Sequence, residues 1–190
     1  MPTLLAAKKA VDAGVDGLVV EGGDGGGFKS PTPVSPMVLL PLVREHVSVP
    51  IIAAGGINEG ATMAAAFALG AEGVQMGTQM VASSESPIHE NWKNAILNAH
   101  ETDTLFLNQK HSPALRALRT ERSERLLDSS ENVFGEFGSP IDLYFGGDME
   151  AAIALSGQVA GRISKVRTVQ EIISETVNEF SKTIERLSAK

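Results

Sequence analysis

Two stretches decide the fold: Val49-Pro50-Ile51-Ile52-Ala53-Ala54-Gly55-Gly56 and, one helix later, Gly73-Val74-Gln75-Met76-Gly77-Thr78. Each reads as a short strand stopped by glycine. Between them Asn58 is expected to cap a helix that runs to Leu69 and is closed by Gly70. The same unit precedes them. Thr3 is placed to cap a helix ending near Ala13, Gly14 closes it, and Gly17-Leu18-Val19-Val20 forms a strand. A glycine-rich loop over residues 21–34 leads to Ser35-Pro36, a helix start with Ser as cap and Pro at the first helical position. Strand, loop and helix in repeated order imply parallel strands with helical crossovers. A weak internal repeat, Ala13–Gly22 against Leu69–Gly77, supports this.

Downstream the pattern changes. A helix is expected over 87–100, with Trp92, Ile96 and Leu97 on its apolar side, and Thr104-Leu105-Phe106-Leu107 reads as a short strand. A short helix is expected over 113–118. Residues 119–128 are a charged stretch in which 120–125 read as an exposed helix face, and a Gly/Phe-rich loop follows. Helices are expected over 149–163 and 169–187, the last with Ile172, Ile173, Val177, Phe180, Ile184 and Leu187 at helical spacing. A closed barrel needs about eight strands and roughly 250 residues, more than this chain offers. The expected fold is therefore α/β: the C-terminal part of a TIM (β/α)8 barrel with parallel strands and extra C-terminal helices, its N-terminal strands missing. The expected division is 1–107 for the barrel units, 108–148 for an irregular insertion or a small substrate-side segment, and 149–190 for helices packing back on the barrel.

Composition bounds the function. The 190 residues carry a net charge of −7 and no cysteine, which removes disulfides, thiolate metal sites and cysteine nucleophiles. No Lys/Arg cluster offers a footprint for nucleic acid. No apolar run is long enough for a membrane span, and the N-terminus lacks a signal-peptide core. A cytoplasmic chain acting on a small molecule is expected; a homo-oligomer is compatible with the sequence.

Every strand ends in glycine: Gly22, Gly55-Gly56 and Gly77. At the C-terminal ends of parallel strands, glycine lets backbone N–H groups approach an anion closely. Two consecutive turns of this form favour a phosphate site at Gly55-Gly56 and Gly77-Thr78, although each also serves as a plain strand-to-helix turn. The run Gly22-Gly23-Asp24-Gly25-Gly26-Gly27 is neither a Walker loop nor a dinucleotide fingerprint. It reads as a flexible strand-end loop whose backbone can lie against a flat ring.

Together, Ile51–Ile57 and Ala64–Thr78 resemble the nitronate monooxygenase (2-nitropropane dioxygenase) family, and equally the flavin-dependent enoyl-ACP reductases of the same superfamily. Ser84-Glu85-Ser86-Pro87, Asn91-Trp92-Lys93 and Ser156-Gly157-Gln158-Val159-Ala160-Gly161 extend the resemblance over most of the chain. It implies a TIM barrel with a smaller second domain that holds FMN non-covalently. By resemblance, Gly55, Gly56, Gly77 and Thr78 hold the FMN phosphate, Gln75 and Met76 lie beside them, and Ala54 is a further cofactor-binding residue. Glu21, Gly22, Gly26 and Gly27 line the flavin and substrate side, and Gly157 and Gln158 face the same pocket. The family motif Glu-Gly-x-Glu-Ala-Gly-Gly-His matches Glu21–Phe28, so Phe28 occupies the position of the family histidine. Phenylalanine cannot accept a proton, and the catalytic residue is unknown.

Of the other candidates, His46 reads as a helix-end residue, His89 and His100 as polar helix positions, and His111 as a loop residue worth testing for a pocket role. Asp24 and Glu21 can serve as a base or cap the glycine loop. Lys29 and Lys110 can pair with an anionic substrate or lie on the surface. No ligand cluster for a metal is seen. The activity implied by the resemblance is FMN-dependent oxidation of alkyl nitronates with O2. The alternatives are an NAD(P)H-dependent flavin reductase of enoyl thioesters or quinones, and a non-catalytic truncated half-barrel.

Overall fold

A computed structural model describes residues 1–189. Its elements in chain order are α1 (Leu4–Asp12), β1 (Leu18–Glu21), β2 (Gly27–Lys29), α2 (Pro36–Arg44), β3 (Ile51–Ala54), α3 (Gly60–Ala68), β4 (Gly73–Gln75), α4 (Thr78–Val81), α5 (Glu90–Leu97), β5 (Thr104–Leu107), β6 (Ala114–Leu118), α6 (Glu121–Leu126), α7 (Pro140–Tyr144) and α8 (Val169–Ser188). They build two compact units interleaved along the chain. The first comprises Met1–Asp24, Pro33–Met76 and the segment from Val169 onward; the second comprises Gly25–Thr32 and Gly77–Thr168.

The first unit is built on a parallel sheet of order β1-β3-β4. Leu18, Val19, Val20 and Glu21 stand beside Ile51, Ile52, Ala53 and Ala54, and Ala54 stands beside Gln75. Alternate residues point to opposite faces. Leu18, Val20, Ile51 and Ala53 are buried in a core with Leu39, Leu40 and Val43 of α2 and Ala66 of α3. On the other face Val19 and Ile52 stay exposed at 37% and 40%. The expected parallel α/β unit is thus present, with one sheet face covered rather than two.

Local capping follows the sequence closely. The Thr3 hydroxyl accepts from the Ala6 amide at 3.2 Å and that of Ser35 from Met37 at 3.3 Å. Asn58 departs from expectation: it is buried, and α3 starts after Glu59. Glu59 is the N-cap instead, and the hydroxyl of Thr62 reaches back to accept from the amides of Asn58 and Glu59, each at 3.2 Å. Helix α8 packs on α3, with Ile172 and Thr176 buried and the Phe180 ring 5.0 Å from that of Phe67. Ile173, Val177, Ile184 and Leu187, expected on the apolar side, are instead exposed.

The second unit carries an antiparallel sheet of order β2-β6-β5 that the sequence did not announce. The middle of the supposed loop is strand β2, and the supposed helix at 113–118 is strand β6. Ala, Leu and Arg favour a helix intrinsically, but here pairing on both sides overrides propensity: β6 lies between β2 and β5, with Ala114, Leu115, Ala117 and Leu118 buried. The helix expected over 149–163 is likewise absent. Residues 152–155 run extended, with the Leu118 amide donating to the Ala154 carbonyl at 2.8 Å and the Ile153 amide to that of Phe137 at 2.9 Å. Only Gln158–Arg162 forms a 3-10 turn. Helix α5 is shorter than expected. Strand β5 and helix α6 fall where anticipated.

Candidate functional site

In the first unit the parallel register aligns Glu21, Ala54 and Gln75 in one row at the C-terminal ends of the strands. The Gly22 amide continues the ladder, donating to the Ala54 carbonyl at 3.1 Å. A Cβ on Gly22 would stand 2.4 Å from Cδ of Pro36, so this glycine answers to packing. Gly55 and Gly56 then turn the chain at φ of +81° and +78°, a left-handed conformation that suits glycine. Among the described residues neither of their amides donates to a protein acceptor. A turn of this kind presents two N–H donors to an anion.

Asp24 closes on this turn. Its Oδ2 lies 2.8 Å from where a Cβ on Gly56 would stand. Asp24, Pro36, Leu40, Gly56, Ile57 and Ala66 are among the residues lining a cavity of about 180 Å³. Pockets for drug-sized ligands run from about 300 to 1,000 Å³, so this hollow takes a small group and no whole cofactor. Met76 is half-buried against the unit's core.

In the second unit Gly26 touches a different partner. A Cβ there would stand 2.5 Å from the carbonyl carbon of Ser156 and 2.6 Å from the Gly157 nitrogen. The Gly157 amide donates to Thr78 Oγ1 at 3.0 Å, so it is committed within the protein, whereas Gln158 is exposed. Gly26, Thr78 and Ser156-Gly157 thus meet in one place, beyond what their spacing could show. Among the described residues two buried polar groups here, Ser156 Oγ and Gln79 Nε2, have no hydrogen-bond partner. Gln79 Oε1 accepts from Arg167 at 3.1 Å. Gln79 was missed in the sequence because a polar residue after a glycine turn carries no burial signal. Gly77 is exposed, and a Cβ there would meet nothing within 4 Å.

Phe28 projects from β2 with 57% of its surface exposed and stacks on Phe134, ring centroids 5.9 Å apart. Lys29 beside it is 6% exposed, which excludes a solvated surface lysine.

The rings of His46, His89 and His111 bond to backbone. His46 Nδ1 lies 2.8 Å from the Leu42 carbonyl, and His111 Nε2 lies 2.9 Å from that of Ser130. His89 is the N-cap of α5, accepting from the Asn91 amide at 3.1 Å, rather than a polar helix position, and His100 is exposed beyond the end of α5. Among the described residues no helix is long and apolar enough to cross a membrane.

The family model described as nitronate monooxygenase matches residues 1–179. A probable nitronate monooxygenase of Staphylococcus aureus (strain MSSA476) is 32% identical, the match covering 91% of this chain and 53% of that protein. FabK from Thermotoga maritima superposes with a TM-score of 0.94 at 38% identity, over 100% of this chain and 62% of its own. A nitroalkane oxidase from Streptomyces ansochromogenes, at 22% identity, shares the fold with a TM-score of 0.80 over 98% of this chain and 57% of its own. The chain therefore spans about half the length of the curated relatives it matches. On the match across residues 1–179, the chain belongs to the nitronate monooxygenase family.

Proposed function

We propose that this chain is the flavin-phosphate-holding part of an FMN-dependent oxidoreductase of nitronate monooxygenase type, its parallel strands being part of a (β/α)8 barrel. The observation that carries the reading is the Gly55-Gly56 turn, whose two amides have no protein acceptor among the described residues. FMN fits the donor set with one condition. Two unit charges about 4 Å apart repel by roughly 4 kcal/mol at an effective dielectric of about 20. A phosphate must therefore sit on the amide side of the turn, away from the Asp24 carboxylate. That carboxylate is in turn suited to accept from a hydroxyl.

In this reading Ala54, Gly55 and Gly56 hold the phosphate through backbone, and Glu21, Gly22, Gln75 and Met76 form the rim of the same strand ends. From the second unit, Gly77, Thr78, Gly26, Gly27 and Gln158 are proposed as further contacts on the strength of the resemblance. When bound, the flavin supplies the redox chemistry. The protein binds and orients, and Phe28 supplies shape and no proton transfer.

A second reading is an NAD(P)H-dependent reductase of enoyl thioesters or quinones, supported by the likeness to FabK at 38% identity; the histidine missing at Phe28 weakens the nitronate reading without favouring the reductase, which would often use it too. The reductase or monooxygenase acts in a cytoplasmic setting on a small molecule.

The test is to titrate FMN into the purified protein, following flavin absorbance and fluorescence, and then to assay O2 uptake with an alkyl nitronate against NAD(P)H oxidation with an enoyl thioester. Stoichiometric flavin binding with nitronate-dependent O2 uptake supports the first reading. Flavin binding with NAD(P)H oxidation alone supports the second. Absence of flavin binding overturns both and leaves a non-catalytic half-barrel.

A further inference from the structure

The cavity of about 180 Å³ in the first unit is walled by apolar side chains from α2, α3 and the turns beside them: Pro36, Leu40, Ile57, Ala66 and Leu69. Leu40, Ile57 and Ala66 belong to the unit's buried core. The polar side chains of the hollow are those of Thr62 and Asp24. The Thr62 hydroxyl is fully committed at the start of α3, accepting from the amides of Asn58 and Glu59 and donating to the Glu59 carbonyl at 2.8 Å. The Asp24 carboxylate has neither a hydrogen bond nor an ion pair among the described residues.

Asp24 is held in place by its neighbours rather than by a partner. The Gly22 amide donates to the Ala54 carbonyl at 3.1 Å and the Gly23 amide to that of Val34 at 2.8 Å. A Cβ on Gly23 would stand 2.7 Å from Cβ of Pro33, so the chain is pinned just before Asp24. The carboxylate then rests on Gly56, in the space a side chain there would take. The acceptor is set before any ligand arrives, which lowers the ordering cost of binding.

We propose that this hollow is a binding site for a small primary alkylammonium, whose charged head donates to the Asp24 carboxylate while its short chain lies among Leu40, Ile57 and Ala66. An ammonium brings three donors and the charge that Asp24 lacks nearby, and hydrogen bonds between charged partners are about twice as strong as neutral ones. An alcohol offers one neutral donor, and an anionic head is repelled. The net charge of −7 favours the approach of a cation. An apolar cavity of about 150 Å³ takes a guest the size of benzene, so the volume here suits a chain of about four carbons.

The site lies wholly within the first unit and uses none of the amides assigned to the phosphate. It goes beyond both proposed reactions, since neither a nitronate nor an enoyl thioester or quinone calls for an ammonium site.

The experiment uses the purified, isotope-labelled chain without added FMN. It is titrated with n-butylammonium, n-butanol and butyrate while the amide signals of Gly56, Ala66 and Leu69 are followed by NMR. The expected result is butylammonium binding at these amides, with n-butanol and butyrate each at least about tenfold weaker. Asp24→Asn keeps the size and removes the charge, and lowers butylammonium affinity about tenfold. Ala65 lines the cavity at an exposed position of α3. Ala65→Leu therefore fills the hollow while leaving Asp24, and lowers the affinity to a similar degree. Circular dichroism checks that both variants fold. No butylammonium binding, shifts remote from the hollow, equal affinity for n-butanol, or either variant binding like the parent overturns the proposal. A chain that binds butylammonium and fails to take FMN counts against the flavin reading alone; one that takes FMN and ignores butylammonium counts against this site alone.

Discussion

The amide of Gly157 donates to the hydroxyl oxygen of Thr78 at 3.0 Å across 79 positions of sequence. The bond fixes the start of α4 to the segment before the 3-10 turn, next to the point where Gly26 meets Ser156. Gly157 is buried, so removing the acceptor strands an N–H without water. Thr78→Val keeps the shape and deletes the acceptor, and is expected to cost about 1–3 kcal/mol in urea unfolding. Thr78→Ser should recover most of the loss. Equal stability of Thr78→Val and the parent would show that another group satisfies Gly157.

Tyr144 stacks on Trp92 with ring centroids 4.2 Å apart and planes 12° apart. Burial pushes its phenol above the usual tyrosine value, because the phenolate loses water. A raised folded pKa means that the folded state keeps its proton when the unfolded chain has released it. Stability from this group is complete below about pH 10, the unfolded value, and falls as pH rises from there through the folded value. Tyr144→Phe should remove this alkaline loss. Unfolding free energies measured between neutral pH and the alkaline limb should diverge between parent and variant only above about pH 10.

What the sequence made legible was governed by local chemistry. Leu18–Glu21, Ile51–Ala54 and Gly73–Gln75 were readable as parallel strands because each is a short stretch led by apolar residues, followed within two positions by glycine and alternating with a helix. Residues 113–118 and 149–163 were misread because their Ala, Leu and Arg content favours a helix, while extended pairing to distant partners decides their state. At the site, Gly55-Gly56 was visible as a turn. The partners of Gly26 and Thr78 were not, since no periodicity links residue 26 or 78 to residue 157. The burial of Lys29 and Gln79 was equally hidden, because polar side chains at those positions read as surface.

Helix α8 is seated through one glycine. A Cβ on Gly60 would stand 2.2 Å from the Phe180 nitrogen and 2.5 Å from the Thr176 carbonyl oxygen. The Gly60 amide also donates to Glu179 Oε2 at 2.9 Å. Both backbones are regular helix and cannot yield locally, so Gly60→Ala must push α8 off α3. Overpacking of this kind costs about 1–3 kcal/mol or more. Hydrogen exchange over residues 169–188 should accelerate selectively, and unchanged protection there would mean the two helices slide at little cost.

Gly77 separates fold from function. Its φ of −103° is open to any residue, and a Cβ there meets no protein atom within 4 Å. Gly77→Ala should therefore leave stability within about 0.5 kcal/mol of the parent, as surface substitutions do. If a phosphate approaches this backbone, the added methyl occupies its path, and FMN affinity should fall about tenfold or more, equivalent to about 1.4 kcal/mol. Gly26→Ala supplies the contrast, since its Cβ collides with the Ser156 backbone and stability must fall. A Gly77→Ala protein that is both stable and undiminished in FMN affinity would remove Gly77 from the cofactor contacts, while leaving the Gly55-Gly56 turn to be tested by itself.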